Sequence, residues 1–301
     1  MKKALIIFLC LILSFSGCDT PDEPDIDEIP DDDNGYVVDE LLPFPITIGG
    51  TIIEDSPETV VSLSPSLTEI IYELGFGSRL TGRSSYCDFP PAALSVTDTG
   101  SGVNPDIERI IALSPELVLT TTLLSQKDMF RMEQSGITTL FVPPSTNINE
   151  LRNIYQALGL VFTGAFTGAE AGDEAFSAIS RVCDNRDVVS LGSFIYITGG
   201  LRAATGDTLE HSVFSCFGVN LAERGSNYQF DFETFIVNQP DVILLSDKYT
   251  ADDLLNSDDF NELNAVIEGR IIYIDNTVFE RPSSRIVQII EQMLEDYKNL
   301  G

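Results

Sequence analysis

His211 is the only histidine in 301 residues. A Ser/His/Asp triad or a histidine-based metal cluster therefore has almost no material to work with, and the Glu210-His211-Ser212 setting reads as a helix with the imidazole in a surface role. Cys87, Cys183 and Cys216 lie far apart and form no C-x-x-C spacing. Metal ligation is excluded on that ground, at most one disulfide could form among them, and buried thiols are the simplest reading. No catalytic constellation, metal site or cofactor site is expected. Glu108 and Glu233 each stand seven residues before a proline, in two stretches that resemble one another: Ile107-Glu108-Arg109-Ile110-Ile111-Ala112-Leu113-Ser114-Pro115 and Phe232-Glu233-Thr234-Phe235-Ile236-Val237-Asn238-Gln239-Pro240. As residues of a first helical turn they are favoured by the helix dipole.

The elements that must carry these residues follow from periodicity. From Thr59 onward, short β-branched runs alternate with amphipathic segments, the pattern of α/β layering. Val60-Val61-Ser62-Leu63 reads as a buried strand, and Ser64-Pro65 opens a helix with its apolar face at Leu67, Ile70, Ile71 and Leu74, stopped by Gly75. Such strand-to-helix turns line ligand crevices. The unit Gly136-Ile137-Thr138-Thr139-Leu140-Phe141-Val142 has a counterpart in Gly269-Arg270-Ile271-Ile272-Tyr273-Ile274-Asp275, so the repeat extends beyond the glutamate helices. The expected fold is α/β, with two similar lobes, each a mostly parallel central sheet flanked by helices, joined by a single long helix. The lobes are placed at 59–160 and 188–301 and the connecting helix, read from Glu170 to Cys183 at its core, within 161–187.

Residues 1–18 read as an export signal: Lys2 and Lys3, the apolar run Ala4 to Leu13, then Ser16-Gly17-Cys18. The small residues before Cys18 resemble a bacterial lipobox, which implies lipidation of Cys18, a palmitate-type membrane anchor and a place in the cell envelope facing the periplasm or outside. The stretch 19–58 is expected as an acidic disordered tether and lead-in. Between Asp19 and Glu40 there are eleven carboxylates and no Lys or Arg, too little apolar surface to order itself and enough like charge to extend. The whole chain carries a formal net charge of -30, which repels a phosphate backbone and argues against nucleic acid as a partner.

Val61-Ser62-Leu63-Ser64-Pro65-Ser66-Leu67-Thr68-Glu69, Ser84-Ser85-Tyr86-Cys87-Asp88-Phe89-Pro90-Pro91, Asn104-Pro105-Asp106-Ile107-Glu108-Arg109-Ile110 and Phe279-Glu280-Arg281-Pro282-Ser283-Ser284-Arg285-Ile286 occur in that order. Together they resemble the helical-backbone class of substrate-binding proteins of ABC importers, most closely its cobalamin (vitamin B12) binders, over Thr59 to Tyr297. The same family includes iron-siderophore and heme binders. The resemblance implies a monomeric binder that captures a corrinoid, or alternatively an iron-siderophore or heme, between its lobes and hands it unaltered to a membrane permease. An anchored sensor or an enzyme on the same scaffold is the reading from a different class. By position, Glu108 and Glu233 correspond to permease-docking glutamates. Pro65, Tyr86 and Arg281 correspond to ligand-facing positions, with Arg202, Asp207 and Tyr228 on a further loop facing the crevice. An ion pair with the neighbouring Glu280 is the other role open to Arg281, and Arg285, one turn on, reads as structural. The family's tryptophans are missing, their places held by Thr121 and by Asn227 or Tyr228, and its disulfide is not reproduced, since the partner of Cys216 would fall near Met293.

Overall fold

A computed structural model describes residues 42–184 and 190–300; the export signal, Cys18 and the acidic run 19–40 lie outside them. The described chain opens with a hairpin of β1 (Ile46–Ile48) and β2 (Thr51–Ile53), antiparallel through Thr47 opposite Ile52. Its turn is Gly49-Gly50, both at positive φ (57° and 85°), the backbone that a two-residue hairpin demands and that glycine supplies without strain. The hairpin falls in 19–58, so the end of the expected tether is folded instead: Ile46 and Ile53 are buried, and apolar burial outweighs the acidic character upstream.

The first parallel sheet has the order β5-β4-β3-β6-β7, built from β3 (Val60–Ser62), β4 (Leu80–Arg83), β5 (Thr97–Asp98), β6 (Leu117–Thr120) and β7 (Thr138–Phe141). Val60 pairs with Leu80 on one side and Leu117 on the other. Helices α1 (Pro65–Glu73), α2 (Ile107–Leu113) and α3 (Gln126–Gln134) make the crossovers. Gly75, at φ 86°, ends the α1 region as the sequence predicts.

The second sheet has the order β10-β8-β11-β12 with β9 on β8, from β8 (Ser193–Thr198), β9 (Arg202–Ala203), β10 (Val219–Asn220), β11 (Val242–Ser246) and β12 (Ile271–Ile274). All of its pairings except the β8–β9 bridge are parallel. Two long helices, α4 (Ile148–Thr163) and α5 (Gly168–Asp184), stand between the sheets in sequence. The second lobe then adds the short helices α6 (Leu209–Phe214), α7 (Glu233–Val237), α8 (Ala251–Leu255), α9 (Asn264–Ile267) and α10 (Thr277–Glu280), and the closing α11 (Ile286–Asn299). The repeated stretches fold alike: α2 then β6 in the first lobe, α7 then β11 in the second.

One hydrophobic core runs from Leu67 and Ile70 of α1 through Tyr155 and Leu158 of α4 and Phe176 and Ile179 of α5. It continues to Phe194, Phe214, Ile290 and Met293 beyond. The two lobes therefore share buried surface, and α4 and α5 lie at its centre. They approach closely because both are glycine-lined at the crossing: a Cβ on Gly159 would sit 2.0 Å from the Gly168 carbonyl oxygen, and one on Gly168 would sit 2.3 Å from the Leu160 Cα. Arg152 then clamps the pair with two hydrogen bonds to Asp173, at 2.7 and 2.9 Å. Gly159→Ala would gain up to about 1 kcal/mol of helix propensity, but it must push α4 and α5 apart. A net destabilisation of about 2 kcal/mol is expected from overpacking, read as a lowered denaturant midpoint; an unchanged or raised midpoint would show that the crossing can relax.

Candidate functional site

Apart from β9 the strands of each sheet run parallel, so each sheet collects the turns after its strands at one edge, where open α/β sheets place their ligands. In the first lobe these are Ser64-Pro65 after β3 and Ser84 to Asp88 after β4; in the second, Asp275 to Arg285 after β12. The turns meet. Ser66 Oγ donates to the Pro282 carbonyl at 2.5 Å, and an Arg281 guanidinium nitrogen donates to the Tyr86 carbonyl at 3.4 Å and pairs with the Asp88 carboxylate. Pro65, Tyr86 and Arg281 are thus brought to one seam. Tyr86 keeps 62% of its surface exposed there, an aromatic free to lie against something else. Asp88, Phe89, Asp275, Arg281 and Arg285 border an open cavity of about 360 Å³ at the seam, at the small end of ligand pockets.

The alternative partner for Arg281 is corrected by this geometry. Glu280 pairs with Lys248, and the guanidinium of Arg281 turns across the seam to Asp88. The reason is direction: side chains adjacent in sequence diverge at the end of α10, whereas Asp88 faces Arg281 from the other lobe. Arg285 has its guanidinium 3.5 Å from Glu69 and 4.9 Å from the centre of the Phe89 ring.

Arg202, Asp207 and Tyr228 form a second cluster in the second lobe. Arg202 lies over the Tyr228 ring at 5.3 Å. Asp207 accepts from the Asn227 backbone N–H at 2.9 Å and from Thr205 Oγ1 at 2.6 Å, and these bonds hold its carboxyl below the usual range. Asn227 and Tyr228 both have positive φ (51° and 58°), a strained turn that those bonds pin. Its product is a Tyr228 hydroxyl donating to the buried Glu210 carboxylate at 3.2 Å. His211, expected on the surface, is instead half-buried. Its ring lies 3.1 Å from both the Asn220 amide nitrogen and Ser215 Oγ, and burial pushes its pKa down.

Glu108 is exposed in the first turn of α2, behind the Asp106 N-cap, and pairs with Arg131 of α3. Glu233 is exposed at the start of α7. The two docking candidates therefore occupy matching positions but not matching charge environments.

Sequence reasoning missed the polar lock behind the seam. Ser283 Oγ donates to Glu69 at 2.5 Å, the Ser284 N–H and Oγ donate to Glu73 at 3.2 and 2.7 Å, and the Tyr155 hydroxyl also meets Glu73. Burial raises both glutamate pKa values, chiefly by desolvation, and it raises Glu210 for the same reason. An acid whose pKa is raised on folding binds more protons folded than unfolded, so stability falls as pH rises from the ordinary glutamate value through the folded one. Thermal midpoints at fixed ionic strength are expected to be higher near pH 5 than near pH 8, and Glu69→Gln with Glu73→Gln should flatten that slope. A slope that the two substitutions leave unchanged would contradict the assignment.

Two parallel-sheet lobes that share a core and meet along the turns after their strands make the two-lobed binding-protein fold. Residues 60–184 match the family described as periplasmic binding protein. An uncharacterized ABC transporter substrate-binding lipoprotein of Bacillus subtilis (strain 168) is 25% identical over 98% of this chain and 97% of its own length. The vitamin B12-binding protein of Vibrio cholerae is 27% identical over 78% of this chain and 87% of its own length. The crystal structure of the Vibrio cholerae periplasmic vitamin B12 binding protein superposes with a TM-score of 0.62 at 24% identity, covering 81% of this chain and 98% of that one. A periplasmic heme-binding protein in complex with two hemes superposes at 0.65 and 17% identity, covering 82% and 99%.

Proposed function

We propose that this chain is the lipid-anchored capture subunit of an ABC importer, held by Cys18, that binds cobalamin or a related corrinoid between its lobes and delivers it to the membrane permease. The observation that carries the reading is the seam itself: Tyr86 from the first lobe and Arg281 from the second stand together at the strand ends, an aromatic face for a flat macrocycle beside planar donors for amide or carboxylate groups on its rim. The cobalamin choice is supported by relatives named for vitamin B12. Heme or a ferric siderophore is the second reading, favoured by the likeness of the two-heme complex.

Titrating the purified protein with cyanocobalamin, hemin and a ferric siderophore by calorimetry tests it. A saturable one-to-one isotherm with cyanocobalamin is expected, weakened about tenfold, or about 1.4 kcal/mol, by Arg281→Ala. Saturable binding of hemin or the siderophore alone would replace the corrinoid by the second reading, and no binding of any of the three would overturn both.

A further inference from the structure

We propose that the two docking glutamates are unequal: Glu233 is the primary anchor for the cationic permease surface, while Arg131 screens Glu108 within the chain. This rests on the importer reading and sharpens its partner surface. Around Glu108 the charges balance, since Arg131 pairs with Glu108 and Arg109 lies 3.6 Å from Asp106. Around Glu233 they do not. Among the described residues no cation pairs with Glu233 or with Asp231, whose carboxylate accepts the Glu233 backbone N–H at 3.1 Å. Arg224 lines the adjoining groove with Asp231 and Thr234 and pairs with neither carboxylate.

A partner arginine reaching Glu108 meets a carboxylate that Arg131 already neutralises in part through Oε1, so it gains less there. Reaching Glu233 adds a pair outright. The flanks differ in the same sense: four residues on, and hence on the same helical face, Glu108 is followed by exposed Ala112, whereas Glu233 is followed by Val237 with 80% of its surface exposed. A cationic surface with an apolar border is therefore matched better by the second lobe.

Ala112 and Val237 are equivalent reporters. A photo-crosslinking amino acid is placed at either position in the full-length, anchored chain in its own cells, and adducts are identified by mass spectrometry. Both positions should yield adducts to a transport permease. Glu233→Ala should cut the Val237 adduct at least tenfold, Glu108→Ala should cut the Ala112 adduct less than threefold, and Arg131→Gln should raise the Ala112 adduct by about two- to fivefold, the range of an exposed ion pair. Arg131→Lys, which keeps the charge, should leave it unchanged. Equal losses from Glu108→Ala and Glu233→Ala, or no response to Arg131→Gln, would overturn the inequality while leaving docking intact. Absence of permease adducts at both positions would overturn the importer reading itself.

Discussion

Glu108→Ala combined with Glu233→Ala is expected to abolish ligand uptake by cells while leaving the affinity of the purified protein for its ligand unchanged. Neither carboxylate belongs to the seam where Tyr86 and Arg281 meet: Glu108 lies on α2 beside Arg131, and Glu233 opens α7. Losing two exposed carboxylates also costs little stability, because surface charges of this kind contribute about 0–1 kcal/mol each. On the proposed reading, a docking permease would lose both fixed negative points at once and with them its register on the two lobes. Uptake is measured with radiolabelled cyanocobalamin or hemin, whichever ligand the titration selects, in cells carrying the double variant as sole copy. Persistent uptake at wild-type rates would remove the importer reading, whereas loss of affinity in solution would place the glutamates in the binding site.

The repeat was legible because it is local. Helix, proline and strand follow one another within thirteen residues in Ile107–Leu119 and again in Phe232–Leu244, and each stretch folds as helix and then strand. The hairpin Ile46–Ile53 carries an equally local signal, alternating apolar residues about Gly49-Gly50, but the acidic run before it drew the whole stretch into the tether. The seam could not be read this way. Asp88 and Arg281 are 193 residues apart, and nothing in the periodicity of either segment selects the other. Glu69 and Glu73 fall outside the apolar positions of α1, and sequence shows only which residues are apolar. What covers them is the turn Pro282 to Arg285, a tertiary fact. The candidate pocket residues rest on resemblance, which names Tyr86 and Arg281 without the partners that the fold gives them.

The buried Glu69 makes Arg285 a sensitive position in the seam. Glu69 is 1% exposed, one carboxylate oxygen accepts from Ser283, and the other has no hydrogen bond, facing only the guanidinium of Arg285 at 3.5 Å. Removing one member of a buried pair leaves an uncompensated charge, at a cost of about 3–5 kcal/mol. Arg285→Ala is expected at the lower end, about 3 kcal/mol at pH 8, because Glu69 can escape by binding a proton, to which burial already inclines it. The same escape makes the penalty shrink toward pH 5, the opposite of a loss caused by missing packing alone, which would not depend on pH. Adding Glu69→Gln to Arg285→Ala should recover part of the loss at pH 8 and little at pH 5, since a neutral amide needs no counter-charge. Denaturant unfolding of the wild type, both single variants and the double variant at the two pH values forms a thermodynamic cycle that isolates the pair. A coupling near zero at pH 8 would mean that the lobes are held together by their shared core, with the polar lock contributing nothing measurable.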